Sequence, residues 1–365
     1  SMLELDAMNF KMTVWLGAAP ANGLMPFPSM EGKRTWLLLA TAVCLSGCGY
    51  GDFTLPALRA KPSRVIFRWN VHPEPVLPRG AAGEFDAVDT LNPSVVRYRG
   101  VYFNLYSGFD GKTWRTGLAM SPDGIRWTRR GPVLSPDPAT WEGNYIAANG
   151  TAVLKDGEFL YWYQAGDPPR IGLARSHDAL HWQKLPRPVL ATGPRGSWDE
   201  RGVADPYAIH AGGAFYLFYL GTDRARQQRL GVAQSDDGEH WTKLRSNPIL
   251  ELGEPGAFDE NGLGEPAVWA TDGYYWMLYT GRDRNEYRRI GFARSSDGVR
   301  WERVRDAPIL AGTAPWDAKV VCDPTVELDG GTVRVWFGGG DIARPDQRLH
   351  GQIGLAMLEM VAAEK

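Results

Sequence analysis

One unit of 56 to 60 residues is written five times along this chain, and this repeat constrains the fold more than any other feature. Each copy begins with an aromatic residue followed by an acid, and a polar residue comes shortly after. The aromatic–acid pairs are Phe85-Asp86, Trp141-Glu142, Trp198-Asp199, Phe258-Asp259 and Trp316-Asp317. The polar residues are Asn92, Asn149, Asp205, Glu265 and Asp323. Repetition at a fixed period is typical of folds built from one supersecondary unit.

Each copy reads as four short strands. An inner strand opens on the polar residue, and a second strand rich in Tyr, Phe and Trp ends in Gly. A third strand carries small residues, and four copies then reach a D-x-x-x-W turn and a short closing strand. Four antiparallel strands joined by hairpins make one propeller blade. The sequence therefore predicts an all-β fold, a five-bladed β-propeller whose blades are four-stranded antiparallel sheets.

The fifth copy lacks its turn and closing strand, since the chain printed here ends at residue 365. We expect an N-terminal strand to supply the missing edge, either around residues 64–69 or at residues 75–77, whose Pro-Val-Leu is similar to the closing strands of the other copies. Such a closure protects the last sheet edge. On this interpretation residues 64–365 form the propeller, which is the catalytic domain.

An export signal is predicted before the repeats. Lys33 and Arg34 precede a ten-residue apolar run at 36–45, which is too short to span a bilayer. The following Leu-Ser-Gly-Cys48 resembles the lipobox of bacterial lipoproteins, in which the cysteine carries the lipid. We expect a signal peptide at 30–47, a linker at 48–63, and a disordered extension at 1–29. The protein would lie in the bacterial cell envelope, lipid-anchored at the outer membrane or the periplasmic face, or be secreted.

Charge and cysteine usage exclude several classes of function. The formal net charge of −2 gives no bulk attraction to nucleic acid or anionic lipid, so membrane contact is expected only through the anchor. After removal of Cys44 and lipidation of Cys48, Cys322 is left alone, which excludes an internal disulfide and a cysteine metal site. We expect no cofactor and a monomer; a structural cation in the central channel stays open.

Residues present in every copy are interpreted as structural, whereas a site must lie where the copies differ. The recurring D-x-x-x-W residues and the acids of the aromatic–acid pairs therefore belong to turns and packing. The position that opens the inner strand varies, and inner strands converge at one mouth of a propeller. Three consecutive copies place a carboxylate there, namely Asp205, Glu265 and Asp323. Turn formation could explain Asp205 and Asp323, because Asn-Pro and Asp-Pro sequences favour turns. It does not explain Glu265, since Glu has no such preference.

Asp-Pro or Glu-Pro on inner strands, with aromatic second strands ending in Tyr-x-Gly, resemble the five-bladed propeller glycosidases of glycoside hydrolase families 43, 62, 32 and 68. The resemblance covers residues 64–360. It implies that Glu265 is the general acid and that Asp205 orients it and tunes its pKa. The family base is an Asp before Pro in the first copy, where this chain has Asn92, and an amide cannot accept a proton from water at neutral pH. The base is then Asp89 or Asp323.

Residues outside the acidic trio supply candidates for substrate binding. Asn92 and Asn149 open the first two inner strands, and Arg224 and Arg282 follow second strands. Three aromatic residues could stack on sugar rings or belong to the core: Trp114, Tyr145 and Trp269.

The sequence as a whole predicts a glycoside hydrolase that cleaves a poly- or oligosaccharide, such as a furanoside, by carboxylate acid/base catalysis. Two alternatives stay open. One is a phosphorylase similar to glycoside hydrolase family 130, and the other is a propeller that binds glycans without catalysis.

Overall fold

The computed structural model describes residues 49–61, 65–344 and 346–362. The predicted signal peptide, the extension at 1–29 and the lipidation residue Cys48 lie outside the described residues. Within them the chain is all-β, with 22 strands and a single 3-10 turn, η1 (Pro315–Asp317). In this part of the chain we find no helix with the length and apolar character needed to cross a bilayer.

The strands follow one another along the chain with short connections. They are β1 (Gly49–Gly51), β2 (Val65–Val71), β3 (Asp89–Leu91), β4 (Val95–Tyr98), β5 (Val101–Phe109), β6 (Trp114–Ser121), β7 (Thr128–Leu134), β8 (Ile146–Lys155), β9 (Glu158–Ala165), β10 (Arg170–Ser176), β11 (Gln183–Lys184), β12 (Gly202–Ala211), β13 (Ala214–Thr222), β14 (Gln228–Ser235), β15 (Thr242–Leu244), β16 (Gly262–Thr271), β17 (Tyr274–Arg282), β18 (Arg288–Ser295), β19 (Glu302–Arg303), β20 (Val320–Asp329), β21 (Thr332–Gly340) and β22 (Gln352–Ala362).

Pairing follows the predicted four-strand unit. In the third copy β12, β13, β14 and β15 are joined in that order, each antiparallel to the next. The second and fourth copies repeat the order, and in the first copy β3 and β4 both pair with β5. Short parallel bridges, Trp114 to Ile146 and Arg288 to Val320, link neighbouring copies. These bridges merge the strands into three hydrogen-bonded sheets.

The N-terminal strand completes the last copy, as predicted. β2 pairs antiparallel with β22 over its whole length, from Val65 opposite Ala362 to Val71 opposite Ala356. Leu77 forms an isolated bridge with Ile353, which corresponds to the bridge between Leu190 and Ile171 in the second copy. Both segments proposed for this edge therefore contribute to it.

The acids that follow the aromatic residues are structural, as predicted. In the third copy Asp199 is fully buried and accepts hydrogen bonds from Tyr219 (3.4 Å) and Lys243 (2.5 Å). Equivalent groups of a carboxylate, a tyrosine near the end of the second strand and a basic residue of the fourth strand are Asp86–Tyr106–Arg129, Glu142–Tyr163–Lys184 and Asp259–Tyr279–Arg303. Each group ties the connection before the inner strand to the second and fourth strands of the same copy.

The D-x-x-x-W turns are also local structure. In the third copy Asp237 Oδ1 accepts hydrogen bonds from the backbone nitrogens of Glu239 (2.8 Å) and His240 (2.9 Å). The ring nitrogen of Trp241 donates to the Gly238 carbonyl at 3.1 Å. The carboxylate closes the turn and the indole covers it, so no catalytic role is needed to explain the motif.

One detail of the prediction was wrong: the polar residue does not open the inner strand. β12 begins at Gly202, and Asp205 is its fourth residue, at an irregularity where the register with β13 shifts between Ala204 and Tyr207. The five equivalent residues have positive φ angles: Asn92 (47°), Asn149 (49°), Asp205 (45°), Glu265 (41°) and Asp323 (53°). This conformation costs a non-glycine residue about 1–2 kcal/mol. Strain of this kind concentrates at functional sites.

Candidate active site

The five positive-φ residues line one central cavity of about 30 Å³. A bulge re-aims the side chain of the bulged strand, so each copy directs its polar residue to the same point. The lining residues are Asn92, Pro93, Ser94, Asn149, Gly150, Thr151, Asp205, Pro206, Tyr207, Glu265, Pro266, Asp323, Pro324 and Thr325. The structure therefore brings Asp205, Glu265 and Asp323 together at one cavity.

Asp323 is buried and held from three sides. Its Oδ2 accepts hydrogen bonds from the backbone nitrogen of Asn92 (3.2 Å) and from the thiol of Cys322 (3.1 Å). Its own backbone nitrogen donates to Thr280 Oγ1 at 3.2 Å, which holds the strained backbone in place. Burial, followed by the negative charge of Glu265, raises the pKa of Asp323 from 3.8 to about 7. A carboxyl group with such a pKa can exchange a proton near neutral pH.

Asp205 is oriented by a chain of two hydrogen bonds. Ser107 Oγ donates to Asn149 Oδ1 at 3.0 Å, and Asn149 Nδ2 donates to Asp205 Oδ1 at 3.2 Å. Ser107 Oγ also accepts from the backbone nitrogen of Asn149 (2.9 Å), just as Thr280 does for Asp323. Burial, and then the charges of Glu265 and Asp323, raise the pKa of Asp205 well above its usual value.

Glu265 connects the other two carboxylates electrostatically, since its charge raises the pKa of both Asp205 and Asp323. Its Oε2 is buried and has no hydrogen-bond partner among the described residues. A buried carboxylate oxygen without a partner costs free energy unless the group is protonated or a ligand supplies the bond. Glu265 is therefore the least satisfied acid of the site.

Asp89 has different surroundings. It is fully buried and does not line the central cavity. Its Oδ2 accepts from the backbone nitrogen of Arg348 (2.6 Å) and its Oδ1 from that of Gly351 (2.8 Å). Both oxygens thus fasten the connection between β21 and β22.

A second, larger cavity of about 1190 Å³ lies at the edge where the inner strands begin. Arg282 lines it from the end of β17, opposite Gly262 at the start of β16. The Arg282 guanidinium bonds to Gln228 and lies 3.3 Å from Glu286 and from Asp346. Its charge acts to lower the pKa of Asp205, against the larger effect of burial. Arg282 therefore lies on the wall of this cavity and acts electrostatically on one acid of the trio.

Arg224, the other predicted arginine, does not line this cavity. Its side chain is exposed and pairs with Glu200, which does line the cavity, at 2.9 Å. The fourth copy repeats the pair as Arg284 with Glu260 at 2.7 Å. Because the pair recurs in two copies, we interpret Arg224 as part of the loop structure and not as a substrate contact.

The aromatic candidates divide between core and surface. Trp269 is buried and stacks on Phe292 with 6.1 Å between ring centres, so the core interpretation holds and no ring face is left for a sugar. Trp114 is likewise buried, stacked on Phe109 at 4.7 Å. Tyr145 is 44% exposed, the only one of the three candidates that offers a ring to solvent.

Sequence reasoning missed the roles of two residues near the trio, Arg288 and Cys322. Arg288 begins β18, is 8% exposed, and donates from Nη2 to Asp346 Oδ1 at 2.5 Å. Cys322, which the sequence showed only as an unpaired cysteine, donates a hydrogen bond from its thiol to Asp323. Comparing the copies could have found Arg288. The fourth copy pairs two arginines, Arg282 and Arg288, at the position where the third copy pairs Thr222 with Gln228. Among the described residues, no group of three His, Cys, Asp or Glu side chains is arranged to hold a metal ion.

Known proteins are similar to this chain in sequence and in fold. Residues 166–313, about two-fifths of the chain, match the model described as the glycosyl hydrolases family 32 N-terminal domain. An uncharacterized protein of Mycobacterium tuberculosis is 28% identical over 232 residues, 60% of this chain and 75% of that protein. A 1,2-beta-oligomannan phosphorylase of Thermoanaerobacter sp. is 33% identical over 135 residues, 33% of this chain and 44% of the relative.

A solved structure from the GH130 family of mannoside phosphorylases, in which some members are glycoside hydrolases that target β-1,2-mannosidic linkages, superposes with a TM-score of 0.64. It is 18% identical and covers 84% of this chain and 96% of its own. At that identity the likeness shows the fold alone. The chain has a glycoside-hydrolase-like propeller fold, and it is similar in sequence to both hydrolases and phosphorylases.

Proposed function

We propose that this protein is a glycan-active enzyme, a five-bladed propeller that hydrolyses glycosidic bonds at the mouth formed by Asp205, Glu265 and Asp323. The observation that carries the proposal is the convergence of these three carboxylates on one cavity, where burial and mutual charge raise the pKa of two of them. Active sites hold carboxyl groups at shifted pKa values for acid and base chemistry.

In the proposed reaction Glu265 protonates the leaving glycosidic oxygen as the bond from that oxygen to the anomeric carbon breaks. A water molecule attacks the anomeric carbon, and Asp323 takes its proton. Asp323 is favoured over Asp89 because it lines the central cavity, whereas both oxygens of Asp89 are bonded to backbone nitrogens. Asp205 lies in the same cavity as this pair, and Asn149 orients it.

Asn92 and Asn149 stand in the ring where the substrate would approach, and the larger cavity beside Arg282 is the proposed location of the sugar chain. The substrate class is a poly- or oligosaccharide, with furanosides first in the panel to be tested. No cofactor is required by this chemistry, since the carboxyl groups supply and accept the protons.

Two variants separate the roles of acid and base. Glu265→Ala should lose activity on natural glycans but keep it on aryl glycosides with acidic leaving groups, which need no protonation. Asp323→Ala should lose both activities and regain turnover with azide, which replaces the deprotonated water. Asp89→Asn is the matched control and should keep catalysis. If Asp89→Asn is inactive and azide restores it, then Asp89 is the base and the assignment fails.

Phosphorolysis is the second candidate, and it is favoured by the similarity to an oligomannan phosphorylase and by Arg282 and Arg288 beside the trio. In that reaction phosphate replaces water at the anomeric carbon. Turnover that requires phosphate and yields a sugar 1-phosphate would establish it. Tight oligosaccharide binding without turnover in either condition would instead support a non-catalytic glycan-binding propeller.

The envelope location is proposed from the segment ending in Leu-Ser-Gly-Cys48. Lipidation would hold a monomeric enzyme at the membrane surface, where glycans are accessible. Labelling with a fatty-acid analogue in cells should mark the protein and should be lost in Cys48→Ala, with Cys44→Ala as the matched control. Equal labelling of both variants would contradict a lipid at Cys48.

A further inference from the structure

Two arginines beside the acidic trio share one carboxylate that the sequence repeat does not explain. Arg282 Nη1 lies 3.3 Å and Arg288 Nη2 lies 2.5 Å from the same oxygen, Oδ1 of Asp346. Asp346 belongs to the connection between β21 and β22, and its side chain is 71% exposed. Ion pairs that are open to solvent contribute little to stability, about 0–1 kcal/mol. The aspartate is therefore a weak and replaceable partner for two cations.

The cations themselves are well fixed. The Arg288 side chain is 9% exposed, and its Nε is buried without a hydrogen-bond partner among the described residues. The Arg282 side chain is 16% exposed and is held by Gln228 and Glu286. Guanidinium groups bind carboxylates through paired, directional hydrogen bonds, and pre-organised arginines lose less entropy when they bind.

The larger cavity offers further positive charge. Arg201 and Arg226 line it, and neither forms an ion pair within the part of the chain that the structure describes. Glu200, by contrast, is already paired with Arg224, and Glu286 with Arg282. The wall also carries Asp167, which forms no ion pair among the described residues, but Arg201 and Arg226 outnumber it, so the unpaired charges on the wall favour an anionic ligand.

We propose that Arg282 and Arg288 form a subsite for the carboxylate of an acidic sugar, and that the side chain of Asp346 occupies this subsite until such a sugar displaces it. The inference rests on the proposed glycan-active function and names its substrate class as uronic-acid-containing glycans. A monoanionic carboxylate suits the site better than phosphate, because Glu286 and the acidic trio lie nearby and repel a second negative charge. The geometry has already accepted one carboxylate, that of Asp346.

The test measures binding directly, so that it does not depend on catalysis. Calorimetry and thermal shift are run on the full chain carrying Glu265→Gln, with D-galacturonate and D-glucuronate as probes and galactose and glucose as neutral controls. We expect the uronates to bind at least about tenfold more tightly than the neutral sugars, since hydrogen bonds between charged groups are the strong ones.

Two further variants should move this affinity in opposite directions. Arg282→Gln should weaken uronate binding about tenfold or more and weaken neutral-sugar binding far less. Asp346→Asn should strengthen uronate binding several-fold, because it removes the internal competitor and lies on the exposed surface. Arg284→Gln, which removes an exposed arginine two residues away that is bound to Glu260, is the matched control and should change neither.

Equal affinity for uronates and neutral sugars would overturn the proposal. So would binding of inorganic phosphate that depends on Arg282 without any binding of uronate, a result that would assign the arginines to phosphorolysis. Substitution of Glu265 or Asp323 could leave activity unchanged while uronate binding still changes as expected in the Arg282 and Asp346 variants. In that case the proposed reaction fails and the subsite stands.

Discussion

Replacing Asp323 by Asn should make the free energy of unfolding less dependent on pH. The folded pKa of Asp323 is about 7 and the usual value is 3.8. The folded state therefore keeps a proton that the unfolded chain has released, and this group stabilises the fold fully below pH 4. The advantage is lost as the pH rises to 7. One pKa unit corresponds to about 1.4 kcal/mol, so a difference of about 3 changes the free energy of unfolding by about 4 kcal/mol over this pH range.

The measurement is urea unfolding of the wild type and of Asp323→Asn between pH 5 and pH 8. The wild type should lose stability over this range, and the variant should lose markedly less, because the neutral amide cannot ionise and no longer raises the pKa of Asp205. Asp123→Asn is the matched control: the pKa of Asp123 is lowered, first by the backbone nitrogen of Arg126, so its stabilisation is lost only at acidic pH. If the free energy of unfolding changes with pH in the same way for the wild type and Asp323→Asn, the reasoning is refuted.

Three further variants test the roles assigned to neighbouring residues. Ser107→Ala should loosen the hydrogen-bond chain to Asp205, which should shift the pH profile of kcat and lower kcat several-fold with little change in thermal stability; an unchanged profile would contradict the positioning role. Lys243→Met should destabilise the fold by about 3–5 kcal/mol, as Asp199 is then buried without its counter-charge, while kcat at 25 °C stays unchanged; a shift of less than 1 kcal/mol in urea unfolding would contradict this. Trp269→Ala should cost about 3–5 kcal/mol through the core cavity it leaves, with KM unaltered; a raised KM in a stable variant would return Trp269 to the sugar-binding site.

The repeat made much of the fold predictable, because strand patterning and turn chemistry are local properties. The D-x-x-x-W turn around Asp237 and Trp241 closes through backbone nitrogens within three residues, so its structure is contained in its sequence. The pairing of β2 with β22 was also predictable, since the fifth copy lacks its fourth strand. The positive φ angles in these strands were not predictable, because they accompany contacts with other copies, as when the backbone nitrogens of Asn149 and Asp323 donate to hydroxyl groups of the preceding copy.

Roles in the site depended on contacts that cross between copies. Comparing the copies was enough to select Asp205, Glu265 and Asp323, since a position that varies in a repeat is where symmetry is broken. Asp89 and Asp323 both stayed open as the base in the sequence. The fold places the backbone nitrogens of Arg348 and Gly351 against the oxygens of Asp89, and our proposal of Asp323 as the base depends on this contact.

The sequence by itself thus determined the repeating strands, their turns and the three acids that interrupt the repeat, because each of these is written in residues close together along the chain. The tertiary structure alone decided which acid is buried against which, that Trp269 belongs to the core, and that Arg282 and Arg288 meet at Asp346. The contacts that shape the site and its surroundings join residues up to 262 positions apart, as Asp89 and Gly351 are. Their electrostatics depend on burial, which no local pattern contains.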